Sequence, residues 1–167
     1  MKKFVLIASL VLAVCLCGSS YATTVGLWHF DTGNGATATD SGGLGNDGTL
    51  GDGTGSGAPD WVTDTPDGSP YALDFDNSSR GGAGDYVAVP DDPSHYLPTT
   101  AITMQAWIKP RSVNNWARII DKNSYFLVTR GSDETDHTVY FRLQIKDGDG
   151  GSDNFDLQSN STIALDE

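Results

Sequence analysis

The feature that most constrains the fold is a strict alternation of side chains in two segments, 101–109 and 138–146. In each segment every second residue is apolar: Ile102, Met104, Ala106 and Ile108 in the first, and Val139, Phe141, Leu143 and Ile145 in the second. A period of two residues places such side chains on one face of a β-strand. No amphipathic helical pattern follows residue 22. The alternation therefore predicts an all-β protein.

Further short strands are predicted at Val25–Phe30, Ala72–Phe75, Tyr86–Val89, Arg118–Asp121, Tyr125–Thr129 and Phe155–Gln158. The segments between them are rich in Gly, Asp, Asn, Ser and Pro, which favour turns. Short strands separated by such loops are typical of an antiparallel β-sandwich. The loop predicted from Gly33 to Asp60 is long, and loops of that length are usually functional, organised by an ion, or mobile.

The first 22 residues have the pattern of a secretory signal peptide. Lys2 and Lys3 precede an apolar core, and Ser20-Tyr21-Ala22 is a cleavage site of the small-x-small type. The pattern predicts a secreted protein, extracellular or at the cell surface, with one domain over residues 23–167. An alternative is a lipid anchor through Cys15, because Leu12-Ala13-Val14-Cys15 is similar to a lipobox. Cleavage after Ala22 removes both cysteines, and with them any disulfide or thiolate metal site.

The charge balance excludes some classes of partner. The chain has 22 acidic and 10 basic residues, a formal net charge of −12. Nucleic acids and anionic membrane surfaces require a basic face, so we predict no nucleic-acid binding and no membrane insertion. Carboxylates are hard oxygen ligands, which suit Ca²⁺ outside the cell.

The polar faces of the two alternating strands suggest a ligand-binding surface. If the strands belong to one sheet, its outer face presents Trp107, Tyr140, Gln105, Arg142 and Gln144. Aromatic rings stack on the C–H faces of sugars, and amide and guanidinium groups donate hydrogen bonds to hydroxyls. The alternative is that a loop covers Trp107 and that Arg142 is an ordinary surface charge.

Several segments carry a resemblance to a known family: Trp28-x-Phe30-Asp31-x-Gly33-x-Gly35, Asp40-Ser41 with Gly45-Asn46-x-Gly48-x-Leu50, Ala72–Asp76, Asp85–Pro90 and Thr103–Pro110. Their order resembles bacterial laminin-G-like, concanavalin A-like jelly-roll domains. The resemblance implies a two-sheet antiparallel jelly-roll sandwich and a polysaccharide or glycoconjugate as ligand. Such domains continue with further strands where this chain ends, so we expect the domain to be incomplete at its C-terminus.

Metal binding is predicted at the opening motif. Asp31 and Asp40, with carbonyl oxygens of the glycine-rich loop, are candidate calcium ligands, and capping of loop amides is the alternative for both. The run Asp147–Asp153 begins like a calcium loop, but Asp-Gly is foremost a turn signal and favours a hairpin.

Catalysis is not predicted. Glycosidases need a pair of carboxylic acids at a set separation, and the chain has only Glu134, in a polar stretch, and Glu167, its last residue, as glutamates. An Asp pair is the alternative, but none stands out on a strand face. The sequence therefore predicts an exported carbohydrate-binding module, with calcium as a possible structural ion. The alternatives are a protein–protein or adhesion module with a surface protein as partner, and a non-catalytic fragment of a larger cell-surface protein.

Overall fold

The computed structural model describes residues 23–65, 67–76, 84–93, 101–122, 124–131, 137–146 and 152–165. Within these ranges the chain forms no α-helix, and hence no helix long and apolar enough to cross a membrane. The strands are β1 (Thr37–Ala38), β2 (Gly48–Leu50), β3 (Asp60–Val62), β4 (Ala72–Asp74), β5 (Val87–Ala88), β6 (Arg118–Lys122), β7 (Tyr125–Arg130), β8 (Thr138–Lys146) and β9 (Ser152–Thr162). The all-β prediction is confirmed.

All strand pairs are antiparallel and form three sheets among the described residues, in the orders β1-β2-β5, β3-β4 and β6-β7-β8-β9. The largest sheet is a meander in which consecutive strands are neighbours. Its two longest strands, β8 and β9, pair from Lys146 opposite Ser152 to Thr138 opposite Thr162. The run 147–151, predicted as a hairpin, lies outside the described residues.

The meander has one closed face and one more open face. On the closed face, Phe126 and Val128 of β7 pack with Tyr140 of β8; Val128 is 0 % and Tyr140 2 % exposed. Side chains alternate along a strand, so Leu127 and Phe141, which lie opposite each other, belong to the other face. Leu157 of β9 extends this second face and is exposed.

The segment 101–109 is the main error in the strand prediction, because it belongs to no strand of the described sheets. Met104, Gln105, Ala106 and Ile108 instead line a cavity of about 300 Å³, together with Ile119, Leu127 and Val139 of the meander. Alternation indicates burial on one side. The segment meets that requirement only in part: it lies against a sheet face without pairing in it, and Ile102 and Met104 are half-buried while Ala106 and Ile108 are exposed.

The glycine-rich stretch was predicted as loop but contains β1 and β2 and ends where β3 begins. Ala38 and Leu50 are buried there, and an isolated bridge pairs Trp28 with Asp40 where the strand Val25–Phe30 was predicted. Gly51 follows β2 at a φ of +57°, and a Cβ on it would lie 2.3 Å from the Ser56 carbonyl oxygen. Only glycine fits this turn.

The remaining strand predictions are confirmed in position. β4, β6 and β7 agree with the predicted strands to within a residue, and β8 matches its prediction fully. β5 is shorter than predicted, and β9 extends well beyond Phe155–Gln158 at both ends.

Candidate functional site

Aromatic rings and arginines converge on the closed face of the meander. β6 contributes one arginine, β7 contributes an aromatic residue and an arginine four residues apart, β8 contributes an aromatic residue and an arginine two residues apart, and the turn before β6 contributes an indole. We call this group the arginine–aromatic face; its members are Trp116, Arg118, Phe126, Arg130, Tyr140 and Arg142. The strand register places Arg118 and Tyr140 opposite Val128, and Arg142 opposite Phe126. The face therefore follows directly from the pairing of β6, β7 and β8.

Trp116 is held in an unusual backbone conformation. Its φ of +66° lies in the left-handed region, which an aromatic residue rarely adopts. Two backbone hydrogen bonds fix the turn: the Trp116 N–H donates to the Thr129 carbonyl at 2.8 Å, and the Thr129 N–H donates to the Ala117 carbonyl at 2.9 Å. Backbone strain of this kind is found disproportionately at functional sites. Here it presents the indole at the surface, 38 % exposed.

The indole rests on a buried ring. The Trp116 and Tyr140 rings lie edge to face, with centroids 5.4 Å apart and planes at 83°. Such pairs contribute roughly 0.5–1.5 kcal/mol beyond the area that they bury. Tyr140 thus acts as the support beneath Trp116.

Arginine side chains surround the two rings. The Arg130 guanidinium carbon lies 5.2 Å from the Trp116 centroid and 4.9 Å from the Tyr140 centroid. Arg118 lies 4.2 Å from the Phe126 centroid. These are cation–π distances, and the contacts hold the planar guanidinium groups close to the aromatic surface.

Two of the arginines are already paired with carboxylates. Arg142 donates to both Asp156 oxygens, at 2.7 Å from Nε and 2.9 Å from Nη2, and Nη2 also donates to the Tyr140 hydroxyl at 2.9 Å. Arg118 forms a longer ion pair with Asp121, at 3.4 Å. Arg130 makes no ion pair with the described part of the chain. Its charge nevertheless acts on Asp156 and contributes to the lowered pKa of that carboxyl group.

The pair with Arg142 shifts the titration of Asp156. Hydrogen bonds from the Arg142 guanidinium, and then from the Tyr140 hydroxyl, lower the pKa of Asp156 from 3.8 to about 2. A depressed carboxyl pKa stabilises the folded state above the unfolded pKa, and that contribution is lost as the pH falls through the folded pKa.

We therefore expect the melting temperature of the wild type to exceed that of Asp156→Asn by a constant margin above about pH 5. The margin should shrink as the pH falls from 3.8 to about 2, the window between the two pKa values. Thermal unfolding monitored by circular dichroism across this range measures it. Other carboxylates cancel, because both proteins share them. If the difference in melting temperature stays constant down to about pH 2, the lowered pKa of Asp156 is contradicted.

The structure does not place the predicted binding residues on one surface. Tyr140 is buried beneath Trp116, so its predicted role as an exposed stacking platform is wrong. Gln105 lines the cavity with Leu127 and Val139, on the sheet face opposite Tyr140, so the two do not share an outer surface. The physical reason is that segment 101–109 covers the sheet instead of extending it.

The other predicted binding residues have mixed positions. Trp107 is 69 % exposed, so its ring is open to solvent. Arg142 lies on the closed face as an ion-pair partner of Asp156, and Gln144 is half-buried on β8 opposite Asn154. Trp116 and Arg130 were not predicted. Trp116 lies in a turn after two asparagines, where no alternation of side chains indicates a sheet face. The sequence feature that could have indicated it is a tryptophan among turn-forming residues.

Asp40 caps the opening loop. Its Oδ1 accepts hydrogen bonds from the Leu27 and Gly42 amides at 2.8 and 2.7 Å, and its Oδ2 accepts one from the Asn46 amide at 3.0 Å. These amides, that of Leu27 foremost, lower the pKa of the carboxyl group. The arrangement favours the capping alternative for Asp40, since amide hydrogens point at the oxygens that a cation would need.

Asp31 lies exposed on the same loop. Within the described residues no group of three or more His, Cys, Asp or Glu side chains is arranged to hold a metal ion. Calcium binding therefore stays a prediction, and thermal unfolding in calcium and in chelator tests it.

A comparison with protein families identifies the fold. The family model Laminin_G_3, described as the concanavalin A-like lectin/glucanases superfamily, matches residues 80–167, more than half of the chain. This chain belongs to that family. No characterised protein and no solved structure matches it.

The family match agrees with the sheets that the structure describes. The antiparallel sheets of this laminin-G-like domain are consistent with a concanavalin A-like sandwich, as the sequence predicted. The matched range contains the whole arginine–aromatic face together with Trp107. Asp31 and Asp40 lie before it, so the match does not extend to the predicted calcium ligands.

Proposed function

We propose that this laminin-G-like domain is an exported, non-catalytic module that binds a saccharide on the arginine–aromatic face. The observation that carries the proposal is the Trp116 indole, partly exposed, fixed by its backbone and supported from below by Tyr140. A rigid indole gives a flat apolar surface for the C–H face of a sugar ring at little cost in side-chain entropy.

The polar part of the proposed site comes from Arg130. Its guanidinium carbon lies over the Trp116 ring, 5.2 Å from the centroid, and the residue is exposed. A guanidinium carries N–H donors in one plane, and these match oxygen acceptors at the rim of a stacked sugar. A platform flanked by planar donors is the chemistry that the sequence prediction placed at Trp107 and Arg142.

Trp107 remains part of the proposal as a second contact. Its ring is the most exposed of the large apolar side chains in the described ranges. Gln105, two residues before it, is exposed as well. Segment 101–109 lies against the sheet face opposite Tyr140, so a contact at Trp107 would involve a separate stretch of a long polysaccharide and not the ring bound at Trp116.

The carboxylates near the face support a binding role over catalysis. Asp156 is paired with Arg142 and has a pKa of about 2, so it is ionised at neutral pH. A general acid for glycoside hydrolysis must instead keep its proton, with a raised pKa. Asp121 is likewise paired, with Arg118.

The test is retention on insoluble polysaccharides and on a glycan panel, competed with free sugars, using protein produced from the full 167-residue sequence. The proposal predicts retention that free sugar reverses and that releases no reducing ends. If the folded protein is retained on no glycan, the carbohydrate proposal is wrong, and a protein partner becomes the next candidate. Recovery of the protein from the culture medium, starting at Thr23, tests export.

A further inference from the structure

The charges of the arginine–aromatic face differ from those of the chain as a whole. The chain carries a formal net charge of −12. On the face, Arg118 is balanced by Asp121 and Arg142 by Asp156. Among the described residues Arg130 makes no ion pair of its own, and its charge acts on Asp156, which is already paired with Arg142. The described part of this face therefore holds three arginines against two carboxylates, a surplus of one positive charge that suits one further negative group.

The Arg130 guanidinium lies beside two aromatic rings. Its carbon is about equally far from the centroids of Trp116 and Tyr140, at 5.2 and 4.9 Å. Arg130 is exposed and its guanidinium donates no hydrogen bond to the described residues, so its N–H groups can meet a ligand. A planar fork of donors matches the two oxygens of a carboxylate.

We propose that the saccharide bound by this domain carries a carboxylate, as a uronic acid does, and that Arg130 binds this carboxylate while the sugar ring stacks on Trp116. The inference rests on the proposed saccharide binding and names the chemical class of its ligand. The ring and the carboxylate of a uronate are joined by a single bond, so adjacent stacking and ion-pairing groups suit one residue of the polymer.

The charge balance also separates this ligand from densely charged polymers. Binding to a polysulfate draws on several unpaired basic side chains, because affinity grows with the number of charges neutralised. The described part of this face has a surplus of one basic side chain, so it does not offer the several cations that a polysulfate would neutralise. A single carboxylate next to a stacked ring fits this arrangement.

The experiment compares matched polysaccharides. Polygalacturonate and alginate serve as probes, each beside its carboxyl-reduced form, which keeps the ring and loses the charge; dextran sulfate is the polyanion control. Wild type, Arg130→Gln, Arg130→Lys and Arg111→Gln are compared by affinity electrophoresis. Arg111 is the matched control, since its removed charge pairs with Asp74 away from the face.

We expect wild type to bind at least one polyuronate about tenfold or more tightly than its carboxyl-reduced form. Arg130→Gln should lose that preference, Arg130→Lys should keep part of it, and Arg111→Gln should behave as wild type. The ligand comparison needs no variant, so the test holds even if a substitution at residue 130 disturbs folding.

Three results would overturn the inference while leaving saccharide binding intact: equal binding of acidic and reduced forms, preference unchanged in Arg130→Gln, or equal retardation by dextran sulfate. Binding of wild type to neutral glycans alone would do the same. Retention on no glycan at all would instead remove the proposed function, and this inference with it.

Discussion

Trp116→Ala is expected to abolish retention of this domain on its polysaccharide ligand. Loss of an aromatic anchor at the centre of a binding site typically costs about 2 kcal/mol or more, roughly a thirtyfold increase in Kd. Stability should fall less, by about 1–2 kcal/mol, because the indole is partly exposed and contributes mainly its edge-to-face contact with Tyr140. Affinity electrophoresis and chemical unfolding measure the two quantities on the same samples.

Trp107→Ala is the matched control for this substitution. It removes a ring of the same kind that is more exposed, at 69 % against 38 %. We expect it to weaken retention less than Trp116→Ala, since Trp107 is a second contact without the arginines that flank Trp116. Trp116→Phe should retain part of the affinity. If Trp116→Ala binds as well as wild type, the arginine–aromatic face is not the site.

Tyr140→Ala is expected to lower the free energy of unfolding by about 3–5 kcal/mol, the cost of removing a large buried aromatic side chain. Tyr140 is 2 % exposed and packs with Phe126 and Val128 at the centre of the meander. A loss of this size is a large part of the stability of a small domain, commonly about 5–15 kcal/mol. Urea unfolding followed by far-UV circular dichroism measures it.

Tyr140→Phe separates the ring from its hydroxyl group. This variant keeps the packing and loses the hydrogen bond that Arg142 donates to the hydroxyl and the one that the hydroxyl donates to Asp156, so its cost should be about 1–3 kcal/mol. It should also retain saccharide binding, because the platform above the ring is unchanged. A Tyr140→Ala protein as stable as wild type would contradict the assignment of Tyr140 to the core.

The fold class was predictable because alternation reports one-sided burial directly. Segment 138–146 was predicted with the bounds that β8 has. The same signal misled at 101–109, because this segment lies against a sheet face without pairing in it, with Ile102 and Met104 half-buried but Ala106 and Ile108 exposed. Pattern alone does not say which neighbour provides the burial.

The site was harder to predict, for reasons that Tyr140 and Trp116 illustrate. Tyr140 alternates with apolar neighbours and was assigned to the outside, yet both faces of β8 are covered to some degree, and its side is the more buried. Trp116 projects from a turn whose left-handed backbone depends on hydrogen bonds with Thr129, a contact across strands. Such contacts depend on tertiary register, which local sequence does not encode.

The most direct test of saccharide binding on the arginine–aromatic face uses the four tryptophans of the chain as reporters. In a ¹H–¹⁵N spectrum each indole N–H gives its own peak, assigned by substitution. The Trp28 and Trp61 indoles donate to the carbonyls of Asn46 and Gly35, at 2.9 Å in both cases, and act as internal references. The protein is titrated with soluble oligosaccharides from the retained polysaccharide. If the saccharide binds on the arginine–aromatic face, the Trp116 peak shifts saturably while the peaks of Trp28 and Trp61 stay in place. A titration in which binding saturates and the Trp116 peak does not move would contradict binding on this face.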